Sequence, residues 1–98
     1  MSAYFIVEIQ VTNPAGYEEY ESLAPAAVKL FGGKYLVRGG PQETLEGDWN
    51  PQRLVILEFD SMERAKAWWH SPEYAPARAL RHKYANSKMI VLEGIETY

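Results

Sequence analysis

His70 and His82 are the two side chains here that ordinarily titrate near neutrality. They stand twelve residues apart, and no His-Glu-x-x-His string occurs, so a zinc-binding helix is not expected. His70 lies between Trp69 and Ser71-Pro72, at a helix break where a pocket mouth can form. There it could move a proton for a phenolic or carbonyl substrate. The alternative is an exposed histidine at a helix C-terminus, favoured by the helix dipole. Arg38, beside Gly39-Gly40, and Arg81, on one helical face with Tyr74, carry a different chemistry. Each guanidinium could hold a carboxylate or enolate through two parallel hydrogen bonds. Salt bridges with Glu46, Glu58 or Glu73 are the structural alternative. Trp49 either walls a pocket or plugs a seam between two chains. The candidate set is therefore His70 as a catalytic proton carrier, with Arg38, Trp49, Tyr74 and Arg81 as ligand-binding residues.

Other chemistries fail on composition. The chain has no cysteine, which removes disulfides, thiolate nucleophiles and cysteine-ligated metals. Gly32-Gly33 and Gly39-Gly40 form neither a phosphate loop nor a dinucleotide fingerprint, and no Gly-x-Ser-x-Gly elbow is present. No cofactor and no metal is implied. The net charge of −3 argues against a general nucleic-acid binder. No acid falls between Glu73 and Glu93, where Arg78, Arg81, His82, Lys83 and Lys88 lie; that stretch is either an anion-attracting patch or a solvated helix face. No apolar run approaches the roughly 20 residues of a membrane span, and no signal peptide is evident, so no membrane partner and a cytoplasmic setting are expected.

These residues must be positioned by one domain, residues 1–98, of which 47% are hydrophobic. Residues 3–11 are β-branched and aromatic and read as a strand. Asn13-Pro14 starts a helix, with Asn13 as N-cap. Tyr17, Tyr20, Ala24, Ala27 and Phe31 form its buried stripe. Pro25 is expected to kink or divide that helix, and Gly32-Gly33 to close it. Residues 34–38 form a short second strand, followed by an excursion over 42–52 with a brief strand at 43–46. Residues 53–59 are the clearest interior strand. Ser61 caps a helix whose Met62, Ala65 and Trp69 face inward, and Ser71-Pro72 interrupts it. A second helical segment follows, with Tyr74, Ala77, Leu80 or Arg81, and Tyr84 on one face. Residues 87–95 form the last strand.

The order is β-α-β-β-α-β, a split α+β arrangement with helices on one face of a four-stranded antiparallel sheet. Such a sheet normally alternates apolar and polar residues. Here Phe5, Val7, Ile9, Val55, Leu57 and Phe59 serve one face, yet Tyr4, Ile6, Leu54, Ile56, Ile90 and Leu92 make the other apolar as well. Two helices cannot cover both faces, so a second copy of the chain is expected over the open one. Glu8 and Glu58 share that face, and adjacency of the first and third strands can bring them together. They would be either an acid pair in a cavity or part of an interface network with Arg38, Arg53 or Lys88.

Taken together, Tyr4-Phe5-Ile6-Val7, Tyr17-Glu18-Glu19-Tyr20 with Pro25, residues 32–40 (GGKYLVRGG), Leu45-Glu46-Gly47-Asp48-Trp49, residues 53–59, Trp69, Ser71-Pro72-Glu73-Tyr74, Arg81, Ser87 and Glu93-Gly94 resemble the domain-of-unknown-function family 1330. The resemblance spans nearly the whole chain. It implies a ferredoxin-like protomer of the dimeric α+β barrel superfamily, pairing through its sheet. It brings no biochemical role. Relatives in the superfamily include cofactor-independent oxygenases, haem-degrading enzymes and a lactone isomerase, with sites usually between helices and sheet. RNA-recognition modules share the element order, but strand 53–59 lacks their stacking aromatics, so no nucleic-acid partner is expected.

Two functional readings follow. One is a homodimer binding a small anionic or aromatic organic molecule, with cofactor-independent turnover as an option. The other is a non-catalytic binding or structural module.

Overall fold

Strand β1 (Ala3–Val11) alternates strictly in burial, with Ala3, Phe5, Val7 and Ile9 buried and the residues between them half exposed. The computed structural model describes residues 1–95; the last three positions of the expected domain lie outside the described residues. Helix α1 (Pro14–Leu30) starts at Asn13, whose side-chain oxygen accepts from the Gly16 amide at 3.1 Å. It ends where Gly32 takes φ +76°, a conformation that side-chain-bearing residues avoid. Pro25 does not divide it. Ala24, Ala27 and Val28 are buried on either side of the proline, and this packing holds both halves in one helix.

Strand β2 (Lys34–Arg38) precedes a long loop, and β3 (Arg53–Phe59) returns through the centre. Helix α2 (Met62–His70) is capped by Ser61, which accepts from the Arg64 amide at 3.1 Å. Ser71 closes it: its hydroxyl donates to the Trp68 carbonyl (2.7 Å) and accepts from the Tyr74 amide (3.1 Å). That pair of bonds sets Tyr74 directly before α3 (Ala75–Tyr84), and β4 (Ala85–Glu93) completes the chain. No helix among the described residues is long and apolar enough to cross a membrane.

The sheet is antiparallel with order β2-β3-β1-β4, as the split arrangement requires, and all three helices lie on one face. Three details depart from expectation. Residues 43–46 form no strand, because they find no partner ladder. Their loop is tied internally instead: the Thr44 hydroxyl donates to the Trp49 carbonyl at 2.6 Å. Trp68, not Trp69, enters the core, and Met62 is only half buried. Finally, β4 starts and ends two residues earlier than expected, at Ala85 and Glu93.

The core is aromatic. Trp68 packs at ring-centroid distances of 5.2 Å on Phe5, 5.3 Å on Phe59 and 4.1 Å on Tyr74. The opposite face is uncovered: Ile6 and Ile56 are neighbours on it, and Ile90 remains 56% exposed.

Candidate functional site

The register of the sheet lines up polar groups at one end of the helix-covered face. Arg53, Ile9 and Ser87 form one row across β3, β1 and β4; Arg38, Val55, Val7 and Met89 form the next; Tyr35, Leu57, Phe5 and Val91 the third. Arg38 owes its place to a bulge. Strict alternation along β2 would put it on the face opposite Tyr35. The register shifts between Tyr35 and Val37, so Arg38 falls opposite Val55 and its guanidinium lies 4.4 Å from the Tyr35 ring.

Above these rows, Tyr17, Tyr20, Glu21 and Ala24 of α1 close a partly open cavity whose enclosed free space is about 20 Å³. Arg38, Arg53, Tyr35 and Trp68 also line it. Its inner part is narrow, with room for the centre of about one water. The Tyr20 hydroxyl meets that of buried Tyr74 at 3.1 Å. Arg81 is 2% exposed; its Nη1 donates to the Ser87 hydroxyl, and its charge reaches Tyr17 and Tyr20.

Burial decides the protonation of the phenols. It pushes Tyr35 up to about 12, against the opposing pull of Arg38. It also raises Tyr20, helped by the Tyr74 hydroxyl, and raises Tyr17 despite Arg53. All three are therefore neutral donors at physiological pH. The cavity can bind and stabilise negative charge. Its one carboxylate is Glu21, and no imidazole lines it.

Buried polar donors nearly always have acceptors. Among the described residues, three buried side-chain nitrogens have none: Arg53 Nε, Trp68 Nε1 and Arg81 Nε. Arg53 and Trp68 line this cavity, whereas Arg81 lines the separate recess beside Ser87.

Of the sequence candidates only Arg38 lines this space. Tyr74 stands behind it, bonded to Tyr20 and stacked on Trp68. Arg81 lines a separate recess with Trp69, His82 and Ser87, while the other two lie farther off. Trp49 lies across the sheet, where its indole donates to Glu8 at 2.8 Å and its ring is 56% exposed. His70 is exposed at the end of α2, in a recess on the β4 side with Phe5, Lys66 and Trp69. Exposed His82 is held below its usual value by partial desolvation, then by Arg81 and Arg78. Glu8 and Glu58 do not meet. Glu8 stands opposite Leu54 and Lys88, Glu58 opposite Tyr4 and Lys34, and four residues of strand (about 13 Å) separate them. Arg38 and Arg53 are on the other face and cannot serve either acid.

A family model described as "Domain of unknown function (DUF1330)" matches residues 2–95. The chain belongs to the DUF1330 family. No curated protein matches it. Among solved structures, the DUF1330 chain is similar to a protein of unknown function from Rhodopseudomonas palustris, at 19% identity and a TM-score of 0.76, covering 98% of this chain and 84% of that one. It is also similar to a dimeric ferredoxin-like protein of unknown function from Jannaschia sp. CCS1 (14% identity, TM-score 0.72, 96% of this chain and 100% of that one). A third similar structure is SnoaB, a cofactor-independent oxygenase from Streptomyces nogalater (14% identity, TM-score 0.57, 98% and 95%). At these identities the likeness establishes the ferredoxin-like fold.

Sequence reasoning missed Tyr35 as a wall residue of this DUF1330 protein, left open which of Trp68 and Trp69 would line a cavity, and placed Arg53 among interface partners. Tyr17 and Tyr20 were legible as the buried stripe of α1. The hydroxyl on each of those two stripe positions was the available signal, since a purely structural stripe has no need of phenols.

Proposed function

We propose that this protein is a homodimer that binds a small anionic, aromatic organic molecule between its helices and its sheet. Two acceptor-less buried donors on residues that line one cavity, Arg53 Nε and Trp68 Nε1, carry this reading. A carboxylate or enolate oxygen would supply what Arg53 and Trp68 lack, while Arg38 and Arg81 balance its charge. Neutral phenols would hydrogen-bond further oxygens, and an aromatic body, larger than the enclosed space, would lie in the open part of the recess against Tyr35. The second copy would cover the apolar open face; a neighbour of the same fold is described as dimeric.

Turnover without a cofactor is the second reading, favoured by guanidinium and phenol donors able to stabilise an enolate, and in keeping with the oxygenase among the fold neighbours. Against it stands the absence of an imidazole from the cavity lining.

Calorimetric titration of salicylate tests the binding site. Arg38→Ala should weaken salicylate by about tenfold or more, the effect of losing a hydrogen bond to a charged group. Unchanged affinity overturns the anion site. Chromatography of the released compound then separates the two readings: intact salicylate identifies a binding module, a new product an enzyme.

A further inference from the structure

We infer that Glu21 is a built-in counter-ion that occupies the anion position of this cavity and is displaced by a ligand's own carboxylate. The inference rests on the proposed anion site and names its ligand class as aromatic monocarboxylates.

Arg53 supplies the positive charge that Glu21 faces. Its guanidinium crosses the backbone of Gly39, where an added Cβ would lie within 2.6 Å of Arg53 Cζ. Gly39 has φ +69° and donates its amide to the Leu54 carbonyl at 2.8 Å, so the turn that receives the arginine is itself fixed. Glu21 is held far less firmly. Its Oε2 lies 3.5 Å from Arg53 Nη2, the only ion pair within 4.0 Å among the described residues. No hydrogen bond of ordinary geometry joins the two, and Arg53 Nε keeps no acceptor. The glutamate side chain is 39% exposed on α1, so rotation into water is open to it.

A weak, half-exposed pair of this kind contributes little to stability. Its electrostatic effect on a ligand is larger, because Glu21 is the one negative group in a lining that holds Arg38 and Arg53. It also sits on the helix that roofs the narrow inner space. A neutral aromatic would have to bury the Arg53 guanidinium after expelling its counter-ion, which is costly. A carboxylate replaces that counter-ion in kind. The glutamate therefore competes with every anion that binds and weakens each of them.

The test compares wild type with Glu21→Gln and Glu21→Ala, using salicylate and its neutral amide, salicylamide. Removing the resident charge should tighten salicylate by about three- to tenfold in both variants, falling with added salt, and change salicylamide by less than about twofold. Equal or weaker salicylate binding by both variants, with wild type still binding, overturns the counter-ion role and leaves the anion site standing. If salicylate binds none of the three proteins, the anion site itself fails and the inference falls with it.

Discussion

Replacing Trp68 by alanine should destabilise the protein by about 3–5 kcal/mol, the usual cost of emptying a buried tryptophan site. The residue is 1% exposed and is the ring on which Phe5, Phe59 and Tyr74 converge, so the hole left behind borders both central strands and the residue that starts α3. Total stabilities of small domains are about 5–15 kcal/mol, and such a loss should lower the thermal midpoint by more than about 10 °C. Trp68→Phe separates volume from polarity. It keeps most of the packing and removes an indole N–H that has no acceptor, so its cost should stay under about 2 kcal/mol. The same variant loses a donor from the cavity wall and should bind salicylate less tightly. Thermal and urea unfolding followed by circular dichroism check both values. A loss below about 1 kcal/mol for Trp68→Ala would show that α2 does not pack as described.

The second large effect concerns the open face. Ile6, Leu54, Ile56, Ile90 and Leu92 form an apolar surface interrupted by Glu8 opposite Lys88 and Glu58 opposite Lys34. A self-complementary arrangement of this kind suits two-fold pairing, where each acid can meet a lysine of the other chain. Light scattering of wild type should give about 22.4 kDa, twice 11.2 kDa. Ile56→Asp places an unpaired carboxylate at the centre of the patch and should return the mass to 11.2 kDa. Ile90→Asp, at the 56% exposed rim, should weaken association less. A wild-type mass of 11.2 kDa at micromolar concentration contradicts the dimer.

The architecture was legible because the two periodicities are clear. Period two in β1 and β3 separates Phe5, Val7 and Ile9 from Tyr4, Ile6 and Glu8, and the register agrees with it residue by residue. Spacing of three and four in α1 predicted the buried run from Tyr17 to Ala27. The site was less legible. Trp68 and Trp69 differ by about 100° on a helix, and what distinguishes them is packing on Phe5 and Phe59, which are distant in sequence. A one-residue bulge at Leu36 leaves no mark on composition, yet it moves Arg38 from one face to the other. Trp49 lies in a loop whose path depends on the long-range bond to Glu8, so no local pattern could place it.

The three tryptophans offer the most direct test of the central claim, because each reports a different surface. Trp68 walls the helix–sheet cavity, Trp69 lies by the outer recess with His70, and Trp49 rests on the open sheet face. Indole N–H resonances of ¹⁵N-labelled protein, followed during titration with salicylate, distinguish the three. The account predicts a saturable shift of the Trp68 signal with little movement of Trp49 and Trp69. Movement of Trp49 or Trp69 with Trp68 unchanged, or no movement at millimolar salicylate, would contradict it.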